Sequence, residues 1–324
     1  NKTLSRPIEI KEEKKKWKTN ERGFPIGDTA EEAEQIAKEL NLADSISYYN
    51  MPADIANGIN EAMADIQRDF PESRAQFKLV GSHEVIEWCR FIEETEGERL
   101  KSLKNEIERF TKKLEAKDLY PTARQNLEKI LQERKKEFDE LNAILQDRDL
   151  QIRQFIEQTD YYKKLEKDYN RRLIKKSIDF DSTIGYTFQG KMVGFMPEYY
   201  DKKNDNGLFQ YKADIHYWIK HGNKWETIPY HESAHQAFDF VKNNSKLKEE
   251  TKKVFRLYDE MKSKYDKGTL SNMLSEYGFT NTDEMVAESI AEVEMAKRAG
   301  EEPQPFAKQI YEMIQEIYEK YRRL

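Results

Sequence analysis

The stretch between Gly97 and Gly185 contains no glycine and a single proline, Pro121. Because glycine and proline interrupt helices most readily, this composition permits long, unbroken helices. Apolar residues recur there every three or four positions, which is the spacing of a coiled-coil seam. The seam residues are Leu100, Leu103, Ile107, Phe110 and Leu114, followed by Leu127, Leu131, Phe138, Leu141, Leu145 and Ile152. Since Tyr120-Pro121-Thr122 offers a reversal point, the pattern predicts an antiparallel helical arm over residues 97–177.

The role of this arm stays open between two interpretations. Arg134 and Arg148 interrupt the second seam, and the two limbs are unequal in length. We therefore expect the second limb to break, or to continue along the globular body. The arm is then either a packing and spacing element or a surface that binds a partner.

The sequence before the arm divides into two parts. Residues 1–28 are lysine-rich and carry turn residues, which predicts a partly disordered leader or linker. A solvated linker is favoured over a nucleic-acid-binding tail. Residues 29–96 form the first part of a globular domain, with a short helix near 29–41 and a stronger helix that ends at Phe70-Pro71. A short strand near Leu79 follows.

The sequence after the arm, residues 178–324, begins with strand signals and ends with helices. The segment from Thr183 to Phe195 predicts a hairpin, and apolar residues alternate with polar ones from Tyr211 to Lys220 as in a half-buried strand. From Trp225 onward we expect helices, except for a loop at 268–279 and a break at 300–305. The fold class is therefore α+β, mainly helical, with a small mixed sheet and the inserted arm.

Composition excludes several classes of function. The 324 residues include 36% charged residues and carry a net charge of -6, whereas proteins that bind nucleic acid normally show a basic excess. No apolar stretch is long enough to span a membrane. The single cysteine, Cys89, rules out an intrachain disulfide and a cysteine metal cluster, and its apolar surroundings predict a buried side chain.

The cellular location is not assigned by this sequence. No signal peptide is visible, but the chain begins at Asn1 without a methionine. A secreted and a virion-associated location both stay open.

The pentapeptide His231-Glu232-Ser233-Ala234-His235 carries the strongest chemical signal. Histidines four residues apart on a helix lie on one face and can share a Zn²⁺ ion, while the adjacent glutamate can accept a proton without being a ligand. Pro229 fits the first turn of such a helix. The alternative is a pair of histidines on a polar helix face. Since two histidines leave a zinc site incomplete, we expect a carboxylate from a later helix to complete it.

A second segment, from Tyr277 to Glu288, supplies carboxylates at a suitable spacing. Thr280, Asn281 and Thr282 are candidate caps for a helix that starts near Asp283. Glu284 and Glu288 then lie one turn apart on one face, which Glu292 continues. One carboxylate can complete the zinc site and the next can orient a ligand histidine. The alternative is a solvated helix face.

The remaining histidines show no such pattern. His216 lies on the polar face of the predicted strand, where a surface or cleft-lining position is favoured over a ligand. His83 and His221 lie near turns.

Together the two segments resemble the anthrax lethal factor-like family of zincin metallopeptidases. The resemblance is carried by His-Glu-x-x-His and by Tyr277, Gly278, Thr280-Asn281 and the Glu-x-x-Ala-Glu run that ends at Glu288. It covers residues 205–324, including a final helix after Pro305, and extends to 40–95. Residues 28–50 are also similar to regions that join phage minor head proteins to toxin-like domains.

The resemblance implies a role for each residue of the site. His231, His235 and Glu284 would bind one catalytic zinc, Glu232 would be the general base, Tyr277 would assist at the transition state and Glu288 would support a ligand from behind. The expected function is hydrolysis of a peptide bond in a protein or peptide substrate, with a zinc-bound water as nucleophile. We expect the substrate to pair with the strand that ends near Lys220. The family's substrate is not carried over, because the arm departs from the family pattern. The alternative is a non-catalytic phage structural or partner-binding protein that keeps the zincin scaffold.

Overall fold

The computed structural model describes residues 17–115, 120–157, 185–188, 192–195, 219–222 and 225–324. These residues are mainly helical with a small amount of sheet, as the sequence predicts. The helices are α1 (Ala30–Glu39), α2 (Ala53–Asp69), α3 (His83–Leu114), α4 (Pro121–Gln146), α5 (Arg148–Glu157), α6 (Thr227–Asn243), α7 (Lys248–Lys264), α8 (Lys267–Met273), α9 (Thr282–Ala299) and α10 (Pro305–Arg322). The strands are β1 (Lys18–Thr19), β2 (Pro25–Ile26), β3 (Ser45–Ser47), β4 (Leu79–Ser82), β5 (Gly185–Phe188) and β6 (Met192–Phe195).

Four short strands form a mixed sheet in the order β3-β4-β6-β5. The pairs β3–β4 and β4–β6 are parallel, while β5 and β6 form the antiparallel hairpin predicted between Thr183 and Phe195. Val80 pairs with Ile46 on one side and with Val193 on the other, so the centre of the sheet is apolar. Most of the strand predicted from Tyr211 to Lys220, including His216, lies outside the described residues.

The core of the body is built by α2, α6, α9 and α10. Phe238 of α6, Ile290 of α9 and Ile314 of α10 are fully buried in one apolar cluster. Burying a side chain of this size contributes about 1.5–3 kcal/mol. Helix α6 runs antiparallel to α9, since His231 faces Glu288 at one end and Lys242 faces Asp283 at the other. This packing fixes how the two helices present their polar residues.

The predicted helical arm appears as the α3–α4 pair, with the reversal before Pro121. The first limb continues a helix that begins at His83, because its first turns bury Ile86 and Trp88 against Phe155 of α5. Farther out, apolar residues of the two limbs are buried, and these are Leu103, Leu131 and Leu141. No helix in the described ranges combines the length and apolar character needed to cross a membrane.

The arginines that interrupt the predicted seam are paired with acidic residues. Arg134 Nε lies 3.0 Å from Glu106 on the facing limb. Arg148 pairs with Glu93 where α5 turns back along the body. Arg134 therefore joins α4 to α3 and Arg148 joins α5 to α3, which explains why a charge is tolerated at these positions.

Two segments differ from the local predictions. Residues 17–28 fall in the predicted leader, yet they form the β1–β2 hairpin, and Arg22 joins it to Glu61 and Asp65 of α2 at 2.9 and 3.0 Å. The loop predicted at 268–279 contains most of α8, because Asp266 caps the helix by accepting a hydrogen bond from the Thr269 amide at 3.0 Å. The prediction of a continuous loop was therefore wrong.

A partly buried charge network joins α2, α9 and α10. Lys297 Nζ donates hydrogen bonds to Glu294 at 2.6 Å and to Asp69 at 2.9 Å, and Tyr311 donates to Asp69. Burial raises the pKa of Glu294 from its ordinary value of 4.5 to about 7, although Lys297 opposes the shift. Burial also opposes ionisation of Asp69, but Arg68, Tyr311 and Lys297 outweigh it and hold the pKa of Asp69 below its usual range.

This network predicts a pH dependence of stability that belongs to Glu294. Because the pKa of Glu294 is raised in the folded state, its protonated form contributes to the free energy of unfolding. This contribution is complete below about pH 4.5 and is lost as the pH rises through about 7. Glu294→Gln should flatten the fall in unfolding free energy between pH 5 and pH 7.5, by at most about 3 kcal/mol. Urea unfolding at several pH values measures this slope. The exposed Glu302→Gln variant is the control, and a wild-type slope in Glu294→Gln would contradict the prediction.

Candidate metal centre

Helix α6 presents two histidines toward the interior of the body. It begins just after Trp225, whose indole fills the space above Gly58 of α2, where a Cβ would lie 2.4 Å from the ring. Its apolar residues, Ala234, Ala237, Phe238 and Val241, are fully buried. With that face against the core, His231 is 5% exposed.

Helix α9 brings the carboxylates to the histidines. Asn281 caps the helix, with its side-chain oxygen accepting a hydrogen bond from the Glu284 amide at 2.9 Å. The cap fixes Glu284 in the first turn and Glu288 one turn later, as the sequence predicts. Because α9 is antiparallel to α6, Glu284 lies between the two histidines and Glu288 lies behind His231.

Three side-chain atoms converge on one point. His231 Nε2 and His235 Nε2 are 3.1 Å apart, and they lie 3.0 and 3.5 Å from Glu284 Oε2. Ligands about 2.0–2.1 Å from a tetrahedral zinc ion lie roughly 3.3 Å from one another, so these separations match three vertices of such a site. Glu284 Oε2 is buried, and within the described part of the chain no donor reaches it with hydrogen-bond geometry. Two imidazole nitrogens and one carboxylate oxygen are a donor set that would fit a zinc ion.

Glu288 fixes the orientation of the His231 ring. Its Oε1 lies 2.9 Å from His231 Nδ1, and its Oε2 accepts a hydrogen bond from Ser275 at 3.0 Å. A carboxylate at Nδ1 favours the tautomer with the proton on that nitrogen, which leaves the Nε2 lone pair facing His235 and Glu284. Glu288 is fully buried, so this contact is shielded from solvent.

The electrostatics of the centre favour a bound cation. Burial alone would lower the pKa of His231, but Glu284 and Glu288 outweigh it and hold that pKa well above its ordinary value. Burial alone would raise the pKa of Glu284, but His231 and His235 hold it below the usual range.

The other two predicted site residues flank the ligands. Glu232 follows His231 on α6 and is 6% exposed. Tyr277 begins a 3-10 turn, Tyr277–Phe279, that packs against α9, and its ring centroid lies 5.7 Å from that of His231. The structure therefore gathers Tyr277, Glu284, Glu288 and both motif histidines around one point. His83 is separate, at the start of α3, where burial lowers its pKa to about 4.

Two polar residues that lie near this face of α9 were not indicated by the sequence patterns. Ser275 contacts Glu288, and a single serine in a predicted loop carries no periodic signal. His221 Nδ1 lies 2.7 Å from Glu292, the next carboxylate after Glu288, and its Nε2 lies 3.0 Å from Glu301. The stripe of glutamates continuing to Glu292 was the available signal. It was incomplete, because His221 comes from a turn rather than from a helix.

Glu292 and Glu301 both contact His221, but their replacement should lower the unfolding free energy by unequal amounts. Glu292 is fully buried and accepts hydrogen bonds from the His221 and Gln304 amides at 2.9 and 3.1 Å. Glu292→Ala should lower the unfolding free energy by roughly 2–4 kcal/mol, since it leaves buried donors without an acceptor. Glu301→Ala, at an exposed carboxylate, should cost less than about 1 kcal/mol. Equal losses in urea unfolding would show that burial does not set the difference.

Comparisons with known proteins add no family to this geometry. The chain matches no protein-family model, no curated protein and no solved structure. The interpretation of the centre therefore depends on the residues themselves, namely two histidines and a glutamate whose ligand atoms all lie within 4.8 Å of one another.

Proposed function

We propose that the chain is a zinc-dependent endopeptidase with a zincin-like catalytic domain, into which the arm of residues 97–177 is inserted. The observation that carries the proposal is the convergence of His231, His235 and Glu284 on one partly buried point, with Glu232 on the same helix as the histidines. A histidine pair with an adjacent glutamate and a third carboxylate ligand is the donor set of many zinc peptidases.

Each residue has a role that follows from its chemistry. His231, His235 and Glu284 hold the zinc ion, and Glu288 keeps His231 in the correct tautomer. When bound, zinc supplies Lewis acidity, which lowers the pKa of a water molecule to about 7 and polarises the scissile carbonyl. Glu232 accepts a proton from the attacking water and passes it to the leaving amine. The Tyr277 hydroxyl donates a hydrogen bond to the oxyanion that develops on the substrate.

A non-catalytic scaffold is the competing function, and the arm is the feature that favours it. Tyr120 is 79% exposed beside the arm's reversal, which is the position expected of a partner contact. A structural protein, however, gains nothing from burying the His231–Glu288 pair behind a complete set of ligands. We therefore propose the peptidase as the function, a protein or peptide as its substrate, and the arm as a further element that contacts either the substrate or a partner.

The first test is metal binding. The wild-type protein should bind one equivalent of zinc, and zinc should raise its melting temperature because it binds only the folded state. Glu284→Gln should weaken zinc binding by at least about 10-fold, since the site loses its anionic ligand. The matched control is Glu276→Gln, whose carboxylate pairs with Lys267 at 2.7 Å. Absence of stoichiometric zinc after metal-free purification and titration would support the scaffold function instead.

The second test separates metal binding from catalysis. Glu232→Gln should keep one zinc equivalent but lower kcat on a cleaved peptide by about 10²–10⁴-fold, because the amide cannot accept the proton. A fluorogenic peptide library supplies the substrate and its cleavage profile. Glu226→Gln, just before α6, is the control and should retain turnover. Wild-type rates in Glu232→Gln would rule out the assigned general base.

A further inference from the structure

We infer that Ser275 is a positioning residue that couples the support of the zinc ligand His231 to the turn that carries Tyr277. The inference rests on the proposed function, because it assigns the way in which two parts of that site are held together. Ser275 is fully buried and lies just before the 3-10 turn, Tyr277–Phe279. Its hydroxyl contacts a group on each side of the site.

The contacts of Ser275 form a continuous chain from the turn that carries Tyr277 to His231. The Gly278 amide donates to Ser275 Oγ at 2.8 Å, and Ser275 Oγ donates to Glu288 Oε2 at 3.0 Å. The other oxygen of Glu288 lies 2.9 Å from His231 Nδ1. A backbone amide of the tyrosine turn is thus connected through two buried side chains to a proposed zinc ligand.

The direction of the two hydrogen bonds of Ser275 is determined. A serine hydroxyl has one proton, and an ionised carboxylate can only accept. Because Ser275 accepts from the Gly278 amide, its own proton is directed to Glu288. Glu288 Oε2 therefore receives the Ser275 proton, while Glu288 Oε1 lies within ion-pair distance of His231 Nδ1. The two hydrogen bonds of Ser275 are aligned and polarise one another.

The packing of the turn Tyr277–Phe279 explains why its position depends on Ser275. A Cβ on Gly278 would lie 2.9 Å from Ser275 Oγ and 2.7 Å from Leu274 Cδ2, so the turn packs directly on the serine. At its other end, Tyr258 and Lys262 donate to the Phe279 carbonyl at 3.0 and 3.2 Å. Those bonds anchor the far side of the turn. The Ser275 bond anchors the amide that follows Tyr277, on the side that faces His231.

The coupling predicts two separate losses in Ser275→Ala. Zinc affinity should fall by about 10-fold, because Glu288 loses a hydrogen bond and holds His231 less firmly. On the cleaved peptide, kcat should fall by roughly 10-fold or more with KM changed less than about twofold, because Tyr277 acts on the transition state. Ser271→Ala is the matched control, since that hydroxyl donates a hydrogen bond to the Lys267 carbonyl within α8, at 2.9 Å. If Ser275→Ala does not fold, Ser275→Cys preserves the volume and weakens the donor, and it should show the same two losses.

Double-mutant cycles distinguish coupling from a local packing effect. In a Glu288→Gln background, Ser275→Ala should weaken zinc binding no further. In a Tyr277→Phe background, it should lower kcat no further. Additive losses in either cycle, or zinc affinity and kcat that both stay at wild-type values in the single variant, would overturn the inference.

The zinc measurements also separate this inference from the proposed function, because they need no substrate. If the wild type binds zinc but cleaves no peptide, the peptidase assignment fails, while a non-additive zinc cycle still supports the link from Ser275 to His231. In that case hydrogen exchange at the Gly278 amide replaces kcat. Faster exchange in Ser275→Ala supports the link to the turn, and unchanged exchange overturns it. A wild type that binds no zinc overturns the inference together with the proposed function.

Discussion

The antiparallel packing of α6 on α9 is the interaction on which the rest of the structure depends. Each helix offers small and apolar residues to the contact, among them Ala234 and Ala291, and both of these are fully buried. Close approach of the two backbones brings the histidines of α6 within ion-pair distance of Glu284 and Glu288. The same contact places Lys242 against Asp283 near the other end of α6. A shift of one residue along either helix would break all of these contacts together, so the charges fix the register that the apolar residues alone would leave loosely defined.

Helix α9 carries an unusual number of buried carboxylates, and each has a partner of its own. Glu288 faces His231, Glu292 faces His221, and Glu294 faces Lys297. An unpaired buried carboxylate would cost several kcal/mol, so α9 is stable in this position only when elements from the whole body surround it. Those elements include α6, the turn at 219–222 and α10, which are far apart in the sequence. The candidate metal centre is consequently supported by the same long-range packing that holds the body together.

The parts of the fold and of the site that depend on interactions between nearby residues could be predicted from the sequence. Most of the parts that depend on residues far apart in the sequence could not. Local signals were sufficient for α6, for α9 with its Asn281 cap, and for the reversal before Pro121, because periodicity, capping and proline act within one or two turns. The pairing of Glu284 with the histidines was also predicted, because spacing placed a carboxylate stripe on one helix face and the resemblance to zincin metallopeptidases implied which carboxylate pairs with them. Ser275, His221 and the Arg22 contacts were not predicted. Each depends on a residue in a turn or hairpin whose position is set by elements more than one helix away. Helix α8 was missed for a different reason, because Gly268 and the serines near it read as a loop while the Asp266 cap stabilises a helix.

The energetics of the centre give the strongest reason to assign it a function. Replacing a buried ionic group by packed apolar residues is often neutral or stabilising, so structural stability alone gives no reason to keep His231 between two carboxylates. The centre also brings two imidazole nitrogens to 3.1 Å of each other and places one carboxylate oxygen 3.0 and 3.5 Å from them. A cation at the point where these three atoms converge would contact all of them at once. The arrangement of these side chains suits a bound metal, which is the physical basis for proposing a catalytic centre here rather than a scaffold.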